Sequence, residues 1–352
     1  MDNLIVKYRP KTFKDVIGQK EITNCLTSQL QRYDTVSAYL FSGPSGCGKT
    51  TVARIMTNIL NGEENTAIEI DGATYNGVDN MREIVEDIRF STLNHNFKIY
   101  IIDECHQLTS ASWNVLLKVL EDMPNSTKLI FCTTHPHKIP TTILSRVQHF
   151  RFNYVNTDEI STLLANIIKK EINTEYINMD IVNQIAISAK NKVRQALNYL
   201  NIFINSNFKN DLTSLTPKIT PYEMSKLLGV FDTKLYADII INYMQFIKNP
   251  DAVKEPEFIN NIEKAEDLNI EFGVFYNDLL NVCLDIIKSF YGVQVNIPGI
   301  NDFETIVYIK NNLNTFFDLT GKLINMANKT NFDNTSYTLL CLTLMQDGEV
   351  NE

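Results

Sequence analysis

Paired cysteines, long apolar runs and positive charge are all scarce in this 352-residue chain. Its six cysteines (Cys25, Cys47, Cys105, Cys132, Cys283, Cys341) stand apart, with no C-x-x-C pair and no metal-ligand spacing. That excludes a disulfide framework and a cysteine-built metal centre, and it reads as reduced thiols. No apolar run reaches membrane length and no signal or transit peptide is evident, so a cytoplasmic setting without a membrane partner is expected. Repeats and low-complexity tracts are also missing, which leaves an ordinary globular composition, 44% hydrophobic and 21% charged, long enough for two or three domains. The charge is unevenly spread: of 32 basic and 41 acidic residues, positions 1–152 hold 16 of each. The whole deficit therefore lies in the remainder, an unfavourable surface for nucleic acid, and any DNA contact is expected from a local patch on the neutral part.

What is present is concentrated in two stretches. Gly43-Pro44-Ser45-Gly46-Cys47-Gly48-Lys49-Thr50 fits G-x-x-x-x-G-K-[ST], after an apolar strand (Ala38 to Phe41) and before an amphipathic helix starting at Thr51. Backbone N–H groups wrap a phosphate only where side chains stay clear, hence Gly43, Gly46 and Gly48; the helix N-terminus adds a favourable dipole. Lys49 is then expected to reach the β- and γ-phosphates and the Thr50 hydroxyl to hold Mg²⁺. The second stretch, Lys98 to Ile102, is a continuous apolar run of the kind buried on both faces of a parallel sheet, and it ends in Asp103 and Glu104. Ligands gather at such strand ends, which suits Asp103 to a Mg²⁺ shell and Glu104 to polarising an attacking water.

Along the chain, Lys7-Tyr8-Arg9-Pro10 precedes a helix from about Lys20 to Arg32; a proline-fixed arm carrying Tyr8 either covers an adenine or simply packs. Strands are expected at 38–43, 67–71, 98–104, 127–133 and 147–152, with helices at 50–60, 77–90, 110–123 and 140–145. This is an α/β fold with a mainly parallel sheet. The hydroxyls ending Thr127 to Thr134 lie beside the carboxylate strand, as phosphate-sensing groups or as plain strand terminators. After Phe152 strands stop: Asn156-Thr157-Asp158-Glu159 resembles a capping box, and helices follow at 157–172, 179–189 and 192–204. Residues 211–221 read as a linker, and 221–247, 257–291, 301–328 and 334–346 show helical periodicity with stripes of Phe, Tyr and Leu.

KYRPKTFKDVIGQ, YLFSGPSGCGKTTVARI, NGVDNMREI, KIYIIDECHQL, NVLLKVLEDMP and FCTTHPHKIPTTILSRVQHF together resemble the tau/gamma ATPase subunit of the bacterial DNA polymerase III clamp loader, an AAA+ family. The likeness is close over about 4–155 and extends through a helical lid to about 205; beyond 220 only length and helicity agree. It implies an AAA+ nucleotide-binding domain at 1–153, a lid at 154–214 and a helical collar at 219–350. It also implies roles. Arg146, in a serine–arginine motif, resembles the finger supplied to a neighbour's ATP; Arg194 resembles a lid sensor of the γ-phosphate; Thr133 or Thr134 corresponds to the first sensor. Tyr8, Pro10 and Ile17 fall where relatives pack adenine, and Pro44, Ser45, Cys47 and Thr51 complete the phosphate loop. Arg82, Lys138 and Thr142 match positions that grip template DNA. The implied partners are a sliding clamp, other subunits of a pentameric ring and primer–template DNA; the clamp face is expected near helix 77–90 and the loop before Lys98.

Two departures mark this chain. Asn61 to Ala67 bridges a gap where the cellular family inserts a four-cysteine zinc module, and a long tau-type extension is absent, as in a pared-down gamma-length form from a phage or plasmid replisome. A smaller one is Val147 after Arg146, where cysteine is usual. Asp103-Glu104-Cys105-His106 also spells a superfamily 2 helicase signature, but no second α/β lobe follows, and His106 reads as a hydrogen-bonded structural residue. A Holliday-junction-type motor fits the lid but not the purely helical C-terminal region, and a non-hydrolysing scaffold subunit fits poorly with intact Lys49, Thr50, Asp103 and Glu104.

Overall fold

The computed structural model describes residues 3–62, 66–88, 96–174, 176–230, 233–249, 256–268, 270–292, 303–327 and 336–345. Part of the bridge after Asn61 (63–65) and part of the expected clamp face (89–95) thus lie outside the described residues, as do the outer ends of the two last expected helices. The chain divides into two compact units, 1–217 and 218–352.

The first unit is built on five parallel strands, β1 (Ala38–Ser42), β2 (Ile68–Asp71), β3 (Lys98–Asp103), β4 (Thr127–Thr133) and β5 (Gln148–Arg151), in the order β2-β3-β4-β1-β5. Each lies within a residue or so of its expected bounds. The central strands are apolar on both faces because both faces are covered. Tyr39, Phe41, Ile99, Ile101, Ile130 and Cys132 pack with Leu26 of α2 (Lys20–Gln31) and with Val52, Ile55 and Met56 of α3 (Lys49–Asn61). The alternate residues Leu40, Tyr100, Ile102, Leu129 and Phe131 pack with α4 (Val78–Ile88) and α5 (Ser110–Glu121) through Met81, Trp113 and Leu116. Period-two alternation thus divides one set of strands between two cores. Because β4 lies between β1 and β3, the chain leaving β1 and the carboxylates ending β3 flank the hydroxyls ending β4. A four-residue helix, Thr141–Leu144, precedes β5.

Three helices follow, Thr157–Ile172, Met179–Ser188 and Val193–Ile204, packed on one another. Asn156 caps the first, its side chain accepting from Asp158 N, and Asn178 caps the second, accepting from Asp180 N and Ile181 N. The short N-terminal helix Leu4–Lys7 packs on the third. The stretch 211–221 is less of a linker than its composition implies. Lys209–Thr213 forms a 3₁₀ turn, Leu212 is buried, and Asn178 donates to the Leu212 and Ser214 carbonyls through its backbone and side-chain nitrogens.

The second unit is helical as expected, and three of the four helical stretches are each formed by two helices. Pro221–Leu228 and Thr233–Lys248 part at Gly229, which takes φ +64° and closes the first helix. Glu257–Asp267 and Phe272–Phe290 part before Ile270, and Phe303–Asn311 and Leu313–Ala327 at Asn312; Ser336–Met345 is the last. At the second and third joints the helix turns because apolar residues on successive segments converge on one core, centred on Tyr243, Phe258, Phe275, Tyr276 and Phe316. Among the described residues no helix is long and apolar enough to cross a membrane.

Candidate functional site

A cleft of about 220 Å³ opens at the carboxyl ends of β1 and β3 and is lined by the loop Ser45 to Thr51, by Asp103 and Glu104, by the arm Tyr8–Pro10 and by Arg194. The loop starts where Gly43 N donates to Thr133 O of β4 at 3.2 Å. A Cβ on Gly43 would meet the Phe152 carbonyl oxygen at 2.4 Å, so only glycine lets the two backbones pass. Lys49 is buried, and its Nζ donates to the carbonyls of Gly43 at 2.9 Å and Pro44 at 2.8 Å. Gly43 and Pro44 therefore serve the site through Lys49 rather than by lining the cleft. Burial raises the Cys47 thiol pKa, leaving it an uncharged part of the loop wall.

Thr50 Oγ1 donates to Asp103 Oδ2 at 2.8 Å, while Asp103 Oδ1 accepts from Glu104 N at 2.9 Å. A hydroxyl and a carboxylate are hard oxygen donors of the kind Mg²⁺ takes when phosphate and water fill its remaining positions. Among the described residues no group of three or more His, Cys, Asp or Glu side chains could hold a metal ion, so this pair fits a cation that arrives with its ligand. Glu104 leaves the strand in the left-handed region, φ 45°. Its Oε2 accepts from Thr134 Oγ1 at 3.1 Å. Of the two candidate sensors, then, Thr134 reaches the carboxylate; Thr133 is fully buried and contacts His106 and His135 N.

Tyr8, Pro10 and Ile17 do line the cleft, together with apolar Ile5, Val16 and Leu197. The arm is pinned to the helix Thr157–Ile172: Tyr8 O–H donates to Glu171 at 2.5 Å, and Lys7 Nζ pairs with the same carboxylate at 2.7 Å. Burial and that contact push the Tyr8 phenol up to about 12. Two cations escape sequence reasoning. Arg54, one turn after Thr50 on the same helix face, lines the cleft and forks onto Glu69 of β2 at 2.5 and 2.6 Å. Arg9 faces the cleft beside Arg54 and Arg194, and burial and those like charges lower its pKa. The i, i+4 spacing from Thr50 is a signal that could have found Arg54; nothing local marks Arg9.

Other expected residues lie away from the cleft. Arg146 is exposed, its NH2 paired with Glu121 at 2.7 Å and its NH1 donating to Thr142 O at 2.9 Å. Arg82 pairs with Asp79 at 2.8 Å within α4, and Lys138 and Thr142 are exposed.

A parallel sheet, a phosphate loop, a carboxylate strand and a helical lid over one cleft define a P-loop nucleotide-binding protein of AAA+ architecture. The fold matches the Thermotoga maritima RuvB Holliday junction branch migration motor with a TM-score of 0.51 at 19% identity, over 68% of this chain and 80% of that one. Residues 18–156 match the family described as DNA polymerase III, delta subunit. DNA polymerase III subunit gamma of Buchnera aphidicola (Baizongia pistaciae) is 31% identical over 83% of this chain and 81% of its own length. Subunit gamma of the Acyrthosiphon pisum strain is 36% identical over 60% and 66%, and Bacillus subtilis subunit tau 37% identical over 58% and 39%. The chain belongs to the DNA polymerase III gamma/tau subunit family, and it spans well under two thirds of the longer tau relative.

Proposed function

We propose that this chain is the ATPase subunit of a replication clamp loader. ATP binding favours an assembled state that opens a ring-shaped sliding clamp, and hydrolysis triggered by primer–template DNA releases the clamp on that DNA. One observation carries the reading: Lys49, Thr50, Asp103, Glu104 and Arg194 serve one cleft, while Arg146 lies outside it on the chain's own surface. A transferring phosphoryl group spreads charge over its equatorial oxygens, and an arginine delivered from a neighbour raises turnover by roughly 10³ to 10⁵. Assembly is then the switch.

Within the cleft, Lys49 and the loop amides hold the β- and γ-phosphates, Arg194 approaches the γ-phosphate, and Tyr8, Pro10 and Ile17 pack the base. Thr50 and Asp103 hold Mg²⁺, which when bound neutralises phosphate charge. Glu104 orients the attacking water and takes its proton; Thr133 supports it from the strand end and Thr134 by direct contact. Arg82, Lys138 and Thr142 contact template phosphates, residues 154–214 act as the lid, and 219–350 form the collar of a pentameric ring with other subunits.

The test is ATP turnover of the full chain, alone and assembled with clamp and primed DNA. Turnover that rises on assembly and falls with Arg146→Ala at unchanged nucleotide affinity supports the reading. Strand separation without a clamp would favour a helicase, and no turnover in any assembly a scaffold subunit; either overturns it.

A further inference from the structure

Glu104 is the base in the proposed reaction, yet its backbone sits in a region that L-residues seldom occupy, so its carboxylate depends on its surroundings for direction. On one side the turn after β2 closes against it: Gly72 N donates to Asp103 O at 2.7 Å, and a Cβ on Gly72 would lie 2.9 Å from the Glu104 carbonyl oxygen. On the other side stands His106, whose side chain is 5% exposed and does not line the cleft. Its Nδ1 lies 3.3 Å from Glu104 Oε2 and 3.3 Å from Thr133 Oγ1, and its ring packs against His135 with centroids 4.4 Å apart.

The opposite ring nitrogen faces the Gln107 side-chain nitrogen at 3.2 Å. An amide nitrogen only donates, so Nε2 accepts and the imidazole proton resides on Nδ1, between Thr133 Oγ1, its hydrogen-bond partner, and Glu104 Oε2. Thr134 Oγ1 donates to the same Oε2, and His135 Nδ1 stands 2.9 Å from that hydroxyl. One hydrogen bond, from Thr134, therefore holds Oε2 with the His106 N–H side beside it, and among the described residues no donor is found on Oε1. From this arrangement, and resting on the reaction proposed above, we infer that His106, fixed in its Nδ1–H tautomer by Gln107, is a positioning residue that turns Glu104 Oε1 toward the water.

Burial holds the imidazole below its usual pKa; Glu104 pulls it up, and His135, Lys138 and His137 push it down. A neutral ring orients Glu104 without neutralising it, whereas an imidazolium would pair with the carboxylate and weaken it as a base.

Steady-state ATP turnover and fluorescent-nucleotide affinity of the assembled full-length protein test this. His106→Ala lowers kcat by about tenfold or more with nucleotide affinity unchanged, within the range of a misdirected general base. His106→Asn, whose amide N–H falls near Nδ1, recovers most of the loss. Gln107→Glu, on the exposed side, puts an acceptor beside Nε2, draws the ring proton from Nδ1 to Nε2 and lowers kcat; nitrogen-15 spectra of the labelled imidazole report the tautomer change. Should His106→Ala misfold, the Asn and Gln107 variants still decide. Normal kcat in Gln107→Glu despite an altered tautomer, or kcat and affinity falling together in the His106 variants, overturns the positioning role. Failure of the ATPase reading is separate: the unaltered protein would then turn over no faster than Glu104→Gln.

Discussion

The two units of this chain are held together in different ways. Among the described residues the first buries thirteen polar or charged side chains, including Lys49, Lys128, Thr133 and Gln19; the second buries three, Ser225, Asn261 and Thr320. A buried polar group is costly unless it is paired, so, the Ser161 hydroxyl apart, the first unit is specified by hydrogen bonds as much as by packing. Lys128 shows this well: it is 4% exposed, donates to the Thr35 and Val36 carbonyls, and is lowered in pKa by burial. The second unit relies on aromatic rings, such as Phe272 against Tyr337 at 4.8 Å and Tyr243 against Phe258 at 5.6 Å. Residues 218–352 also carry 10 basic against 19 acidic side chains, while 1–217 balance. A polar, balanced unit suits phosphate chemistry; an apolar-cored, acidic one suits contact with protein and repels DNA.

The largest effect that would sharpen this contrast is expected from Lys49→Ala, which should weaken nucleotide binding by about 100-fold or more and end turnover, because a buried cation on the phosphates is lost. Calorimetric binding checks it. Next, Arg146→Ala should lower assembled turnover about 10³-fold with nucleotide affinity intact, since its guanidinium faces away from its own cleft. Phe275→Ala should destabilise the helical unit by about 3 to 5 kcal/mol, as for a fully buried ring. Trp113, the sole tryptophan, lies in the first unit, so its fluorescence should melt unchanged while circular dichroism records the earlier transition; a shared shift would show that the units do not unfold separately. The smallest effect is expected at Glu171, which the Lys7 and Tyr8 hydrogen bonds hold below the usual carboxylate range. Its grip on the arm is present at and above that ordinary range and lost as pH falls through the depressed value. Glu171→Gln should cost about twofold in nucleotide affinity near neutrality, the scale of an exposed pair, and flatten the acid end of the affinity profile.

The sheet was legible because both-face burial leaves uninterrupted apolar runs, and because Asp103 and Thr133 end theirs with polar groups. The helical unit was legible only as helix. Its stripes of Phe, Tyr and Leu run across Asn312 without losing period, so that joint is visible only once the segments share a core. At the cleft, the phosphate loop and the carboxylates could be read from spacing. Which of Thr133 and Thr134 touches Glu104 could not, because it depends on how the chain leaves β4 between β1 and β3. Arg9 stayed hidden for a similar reason, its neighbours Arg54 and Arg194 being distant in sequence.

The left-handed backbone at Glu104 has an evolutionary consequence. Asn or Gly sits in that conformation more comfortably, so drift away from Glu would relieve strain on the order of 1 kcal/mol and firm up the folded chain while, on the role proposed for this carboxylate, ending turnover. A copy freed from selection on turnover would therefore slide downhill into a sturdier, inert form, and a lineage that keeps the acid here accepts a slightly softer protein to do so.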